Sequence, residues 1–108
     1  MPLIPIPQLD INDCNAEAIL MCPACEHNYL HHTDITVFSR PHEDGAVTAS
    51  VIRPDGSVWP NRGGMNPSSR RDALAIRFWC EGCDDHVELT IVQHKGQTCL
   101  QWRLAVLP

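Results

Sequence analysis

The chain has 108 residues, 44% of them hydrophobic, with nine prolines, six glycines and a formal net charge of −5. That length and apolar share fit one globular domain with a modest core and argue against a disordered chain. The acidic balance excludes attraction of phosphate backbones by the field of the whole molecule, so a nucleic-acid contact must rest on a local basic patch.

Residues 1–13, MPLIPIPQLDIND, alternate proline with Leu3, Ile4, Ile6, Leu9 and Ile11, and are expected as an extended arm on a single domain spanning 14–108. The arm lacks the positive n-region and long apolar core of a signal peptide. No apolar run approaches the roughly 20 residues of a membrane helix, so the expected location is cytoplasmic, away from membranes. Residues 15–21 are too few for periodicity to separate a helical turn from a short strand. In DITVFSR (34–40), Ile35 and Val37 alternate with Thr36 and Phe38; AVTASVIR (46–53) is a second β-type run, and PHEDG between them makes the pair a hairpin. RPDGS (53–57) carries turn chemistry, with Pro54 fixing φ, and a short strand around Val58 and Trp59 follows.

Residues 60–72, PNRGGMNPSSRRD, have no apolar periodicity and form a long loop, of a length that goes with function or mobility in small domains. ALAIRFWC (73–80) sets Leu74, Ile76 and Phe78 on one face and Arg77 and Trp79 on the other. HVELTIVQ (86–93) alternates Val87, Leu89 and Ile91 with Glu88 and Thr90. HKGQ turns the chain at Gly96, and TCLQWRLAV (98–106) returns with Leu100, Trp102, Leu104 and Val106 on one face. The expected fold is all-β, a small antiparallel sheet of about five strands with no helix.

Four of the six cysteines form two Cys-x-x-Cys pairs, Cys22/Cys25 and Cys80/Cys83. In a reducing compartment this spacing favours a metal over disulfides, because a tight turn aims both thiolates at one ion. Two such turns complete a tetrahedron of sulfurs about 2.3 Å from the ion, a closed shell that makes zinc structural. His27 and His86 stand near the pairs as substitute ligands that four cysteines make unnecessary. Iron in the same four-cysteine site is the alternative metal. Cys14 and Cys99 read as reduced thiols without a ligand role. His31 and His32 are neighbours on a strand and face opposite ways, so they cannot chelate together; His94 is expected exposed at a turn.

CPAC at 22–25 and CEGC at 80–83, each set before strand-forming runs, resemble the two knuckles of a zinc ribbon. The resemblance covers the two pairs and the hairpin after the second. It implies a small antiparallel sheet gripping one zinc, and the nucleic-acid or protein contacts that many ribbons make. The chain departs from the pattern in two places. Glu26 and Asp84 stand where ribbons commonly carry Gly, and the segment 26–79 is longer than in a minimal ribbon. Ribbon resemblance is a clue to fold, and fold does not fix function.

Function is sought in two charged stretches. Arg62, Arg70, Arg71 and Arg77 face only Asp72 in their stretch, with Asn66, Ser68 and Ser69 as further donors, Lys95 nearby in the count of cations, and Trp59 and Trp79 as stacking faces for unpaired bases. The first expectation is a non-enzymatic module that contacts nucleic acid through these residues. The alternative is a protein-interaction or inhibitory accessory protein. It would act through a sheet edge or through the acidic run CEGCDDHVE, where Glu81, Asp84, Asp85 and Glu88 flank the second pair. No nucleophile and base stand together to anchor an enzyme, and no small-molecule substrate is expected.

Overall fold

The computed structural model describes residues 6–12, 17–40, 42, 45–60, 66–68 and 71–104, and among these the chain is all-β with no helix. Its strands are β1 (Leu9–Asn12), β2 (Glu17–Leu20), β3 (Leu30–Ser39), β4 (Thr48–Ile52), β5 (Val58–Pro60), β6 (Ala73–Cys80), β7 (His86–His94) and β8 (Gln97–Leu104). β1 and β2 make a two-stranded ribbon; the other six make one sheet in the order β5-β4-β3-β6-β7-β8, with every pairing antiparallel. The expected sheet of about five strands is thus a six-stranded one, counting the short β5. Residues 15–21, left open between helical turn and strand, supply β2.

The connections follow the turn chemistry. Arg53 N–H donates to Ser57 O at 2.9 Å, and Asp55 Oδ1 accepts from Ser57 N–H at 2.9 Å, which closes the β4–β5 turn. β7 and β8 join through Lys95 (φ 50°) and Gly96 (φ 80°), two left-handed residues whose twist matches that of the flanking strands. The link from β5 to β6 must cross two strands, since β4 and β3 lie between them. Its described residues are fastened: Ser68 is buried, its Oγ donating to Gln93 O at 3.3 Å and accepting from Arg71 N–H at 2.9 Å.

Strand alternation divides the side chains between two faces. On one, Phe38, Ala73 and Ala75 are buried, with Val47, Ala49 and Val92 packed against them. On the other, Val87, Leu89 and Trp102 are buried against Leu20, Leu30 and Phe78. Phe78 and Trp102 meet edge to face with ring centroids 5.7 Å apart, and Leu20 brings the β1–β2 ribbon onto this cluster. The register of β3 on β6 shifts between His32 and Ile35. This bulge puts Leu30 and Ile35 on the same face despite their odd spacing, and Thr33 Oγ1 donates to Arg77 O across it at 3.3 Å. Among the described residues no helix is long and apolar enough to cross a membrane.

Candidate metal centre and the two ends of the sheet

The first cysteine pair precedes β3 and the second ends β6. Because these strands are antiparallel neighbours, with Leu30 opposite Cys80, the start of one meets the end of the other and both pairs converge. Each pair folds the same way. Glu26 N–H donates to Cys22 O at 2.9 Å and Cys22 N–H to His27 O at 2.8 Å; Asp84 N–H donates to Cys80 O at 2.9 Å and Cys80 N–H to Asp85 O at 3.0 Å. Both loops need a left-handed residue after the second cysteine, and Glu26 (φ 64°) and Asp84 (φ 60°) supply it. The left-handed turn of each loop is therefore made without a glycine.

The sulfurs of Cys22, Cys25, Cys80 and Cys83 all lie within 4.8 Å of one another, with Cys22 Sγ 3.8 Å from Cys83 Sγ and Cys25 Sγ 3.5 Å from Cys80 Sγ. A tetrahedron with metal–sulfur bonds of about 2.3 Å has edges of about 3.8 Å, so the four could hold a metal ion as a pair of zinc-binding knuckles does. These separations are far beyond the roughly 2.05 Å of a disulfide. Cys22 and Cys80 are buried, and Cys25 and Cys83 open outward. Burial, joined by the neighbouring thiols, pushes the Cys83 thiol up to about 12 and raises Cys22 as well. At Cys80 burial acts upward too, but the amides of Cys83 and Gly82 and the Cys25 thiol outweigh it and hold the group below its usual value. A divalent cation removes the conflict by favouring all four thiolates at once.

The surroundings brace the site. A Cβ on Gly82 would stand 2.8 Å from the His27 ring, so any side chain there would drive His27 out of its seat between the knuckles. His27 Nδ1 accepts from Tyr29 N–H at 3.3 Å, which keeps the ring facing that way. His31 Nε2 lies 2.9 Å from Glu81 Oε2, and its ring sits 5.4 Å from that of Trp79, whose indole N–H donates to Asp84. His32 is exposed on the opposite face, as strand alternation requires.

The described members of the expected binding set are spread over the sheet. Arg77 and Trp79 stand on β6 toward the cysteines, and Trp79 is engaged by Asp84. Trp59 lies on the edge strand β5, 55% exposed, with the Arg53 guanidinium 5.7 Å from its ring and Ser57 Oγ accepting its N–H at 2.9 Å. Arg71 and Lys95 share the other end of the sheet. Gln93 N–H donates to Asp72 O there at 3.3 Å, and Asp72 Oδ1 accepts from Arg40 N–H at 2.7 Å, which adds Arg40 to the same end. Arg62, Arg70, Ser69 and Cys14 lie outside the described residues. Cys99 is an exposed free thiol on β8.

Glu88, counted in sequence with the acidic run, is only 7% exposed and does not belong to that surface. It accepts from Arg103 Nε at 2.6 Å, and the register sets Arg77 on its other side. Sequence reasoning missed Arg103, Arg40 and the role of Gly82. The one signal for Arg103 was its position opposite Glu88 once the β7–β8 hairpin is drawn. Comparison with family models, with curated proteins and with solved structures finds no match to the chain.

Proposed function

We propose that the chain is a zinc-clamped, non-enzymatic binding module of the zinc-ribbon kind that contacts single-stranded nucleic acid through the end of the sheet opposite the clamp. The observation that carries this reading is the separation of charge along β6. Exposed Glu26, Glu81, Asp84 and Asp85 lie in and beside the knuckles at one end, while Arg40, Arg71 and Lys95 stand at the other, where β3 and β7 end and β6 begins. Eight residues of strand set the two ends about 25 Å apart, several times the roughly 8 Å screening length of physiological salt. At that distance the acidic end does not cancel the attraction of the basic end for phosphate, despite the net charge. Four cysteine ligands fill a zinc shell and leave no position for substrate, which supports binding over catalysis.

Anisotropy of labelled single-stranded DNA and RNA tests this. Binding by the zinc-loaded chain is expected to weaken steeply with salt, by a log–log slope of about −0.7 for each phosphate contacted. The triple variant Arg70→Ala/Arg71→Ala/Lys95→Ala is expected to bind more weakly on every sequence and with a flatter slope. Absence of binding at low salt ends the reading. A second reading, a basic protein docked on the knuckle end, is favoured by the four exposed carboxylates there. It predicts a defined protein partner in a pull-down that survives nuclease treatment and is lost in Glu81→Lys/Asp85→Lys.

A further inference from the structure

The two edges of the sheet are unlike. β5 is three residues long and ends on Pro60, which has no amide hydrogen to offer a further strand. β8 is eight residues long and pairs with β7 in unbroken register from His94↔Gln97 to Val87↔Leu104, and no described strand borders its other side. It has none of the devices that guard an open edge: no proline, no bulge, no lysine. Its one charge, Arg103, is turned inward onto Glu88. Residues 97–101 are all exposed, Leu100 at 51%.

We propose that two copies of this chain pair through β8, antiparallel about a two-fold axis at Leu100, which joins their sheets edge to edge. Isologous pairing requires a strand that can face itself, and Thr98, Cys99, Leu100 and Gln101 bring no charge to the axis. In this register Leu100 meets the partner's Leu100 and extends the row Leu74, Ile91, Leu100 of the Trp102 face across the junction. Charge favours the same arrangement. β8 runs from the basic end, beside Lys95, to the acidic end, beside the start of β7 at His86. Antiparallel pairing sets the basic end of each copy, with Lys95, at the acidic end of the other. A parallel arrangement would bring like ends together.

Sedimentation equilibrium of the zinc-loaded full chain, without nucleic acid, tests the proposal. The expected mass is twice that of the 12.1 kDa chain, with dissociation at high salt. Leu100→Lys and Leu100→Glu, each checked for one zinc per chain as evidence of folding, are each expected to sediment as single chains, since one substitution places like charges on both sides of the axis. An equimolar mixture of the two variants is expected to regain the doubled mass, which a merely misfolded variant cannot do. A single-chain mass for the native protein at all concentrations overturns the proposal. So does a doubled mass that persists in both variants, or a mixture that stays as single chains.

Discussion

Glu26 and Asp84 hold the same backbone conformation in equivalent loops, but their side chains are used differently. Asp84 accepts the Trp79 indole hydrogen bond, and aspartate enters the left-handed region more readily than most residues. Glu26 has neither advantage: it is exposed and adds a negative charge beside a cluster of thiolates. The left-handed conformation costs a residue with a Cβ about 1–2 kcal/mol, of which the greater freedom of glycine in the unfolded chain returns a part. Glu26→Gly is therefore expected to stabilise the metal-loaded protein by about 0.5 kcal/mol in urea unfolding. Asp84→Gly is expected to gain less or to lose, because Trp79 forfeits its partner. Equal gains at both positions would show that the Trp79 bond contributes nothing.

At the scale of strands, the β7–β8 pair carries an ion pair between buried Glu88 and half-buried Arg103 on the face that also bears Ala75 and Arg77. Glu88 and Arg103 side chains are 9% and 28% exposed, so removing the arginine leaves a carboxylate with little access to water. Arg103→Ala is expected to cost about 2–3 kcal/mol, less than for a fully buried pair because Arg77 flanks the same carboxylate. Replacing both partners by apolar residues, Glu88→Val/Arg103→Leu, is expected to restore most of that loss, and the full double-mutant cycle in urea measures the coupling.

This pair marks where strand patterns stop being informative. Alternation gave the faces of β6, β7 and β8 as far as Leu104, with Val106 outside the described residues, and the turn residues gave the hairpins, because both are local. The burial of Glu88 was not legible, since a period of two distinguishes faces without saying what covers them. The pairing of β3 with β6 joins residues from Leu30↔Cys80 to Phe38↔Ala73, far apart in sequence, and leaves no local trace, so the basic end could not be assembled from sequence. Arg40 follows β3 and Arg71 precedes β6; only the register brings them together around Asp72. The bulge after His32 also breaks the alternation that would otherwise assign Leu30 to the wrong face. The four cysteines were fully legible because ligand spacing is a local signal that metal chemistry constrains tightly.

For the molecule as a whole, the metal is expected to outweigh the core. Binding to four cysteines is worth about 10–16 kcal/mol in small peptides at neutral pH, against roughly 5–15 kcal/mol for the net stability of a domain. Chelation is expected to abolish cooperative unfolding by circular dichroism; a chain that keeps its sharp transition after complete metal removal would falsify the structural role. Metal uptake must also expel protons, since the Cys22 and Cys83 thiols are held protonated at neutral pH by their raised values. Affinity is thus expected to fall as pH drops from 8 to 6, and calorimetry in buffers of different ionisation enthalpy counts the protons released. In whatever native structure the metal-free chain retains, the sign reverses. With Cys83 raised from 9.0 to about 12, its contribution to stability is complete below pH 9 and is lost as pH rises toward 12.

The placement of the two cysteine pairs also sets how much chain the clamp must close. Each pair forms its own turn without a distant partner, Cys22 and Cys25 ahead of β3, and Cys80 and Cys83 where β6 ends and the chain turns toward β7. Cys25 is 55 residues from Cys80, and fixing a span of that size costs an unfolded chain about 4 kcal/mol in closure entropy. Either pair can therefore offer two sulfurs to an ion locally, and the costly step is bringing the two pairs together. A bound metal would repay that long closure between β3 and β6, whose entropy the local hairpins do not have to overcome.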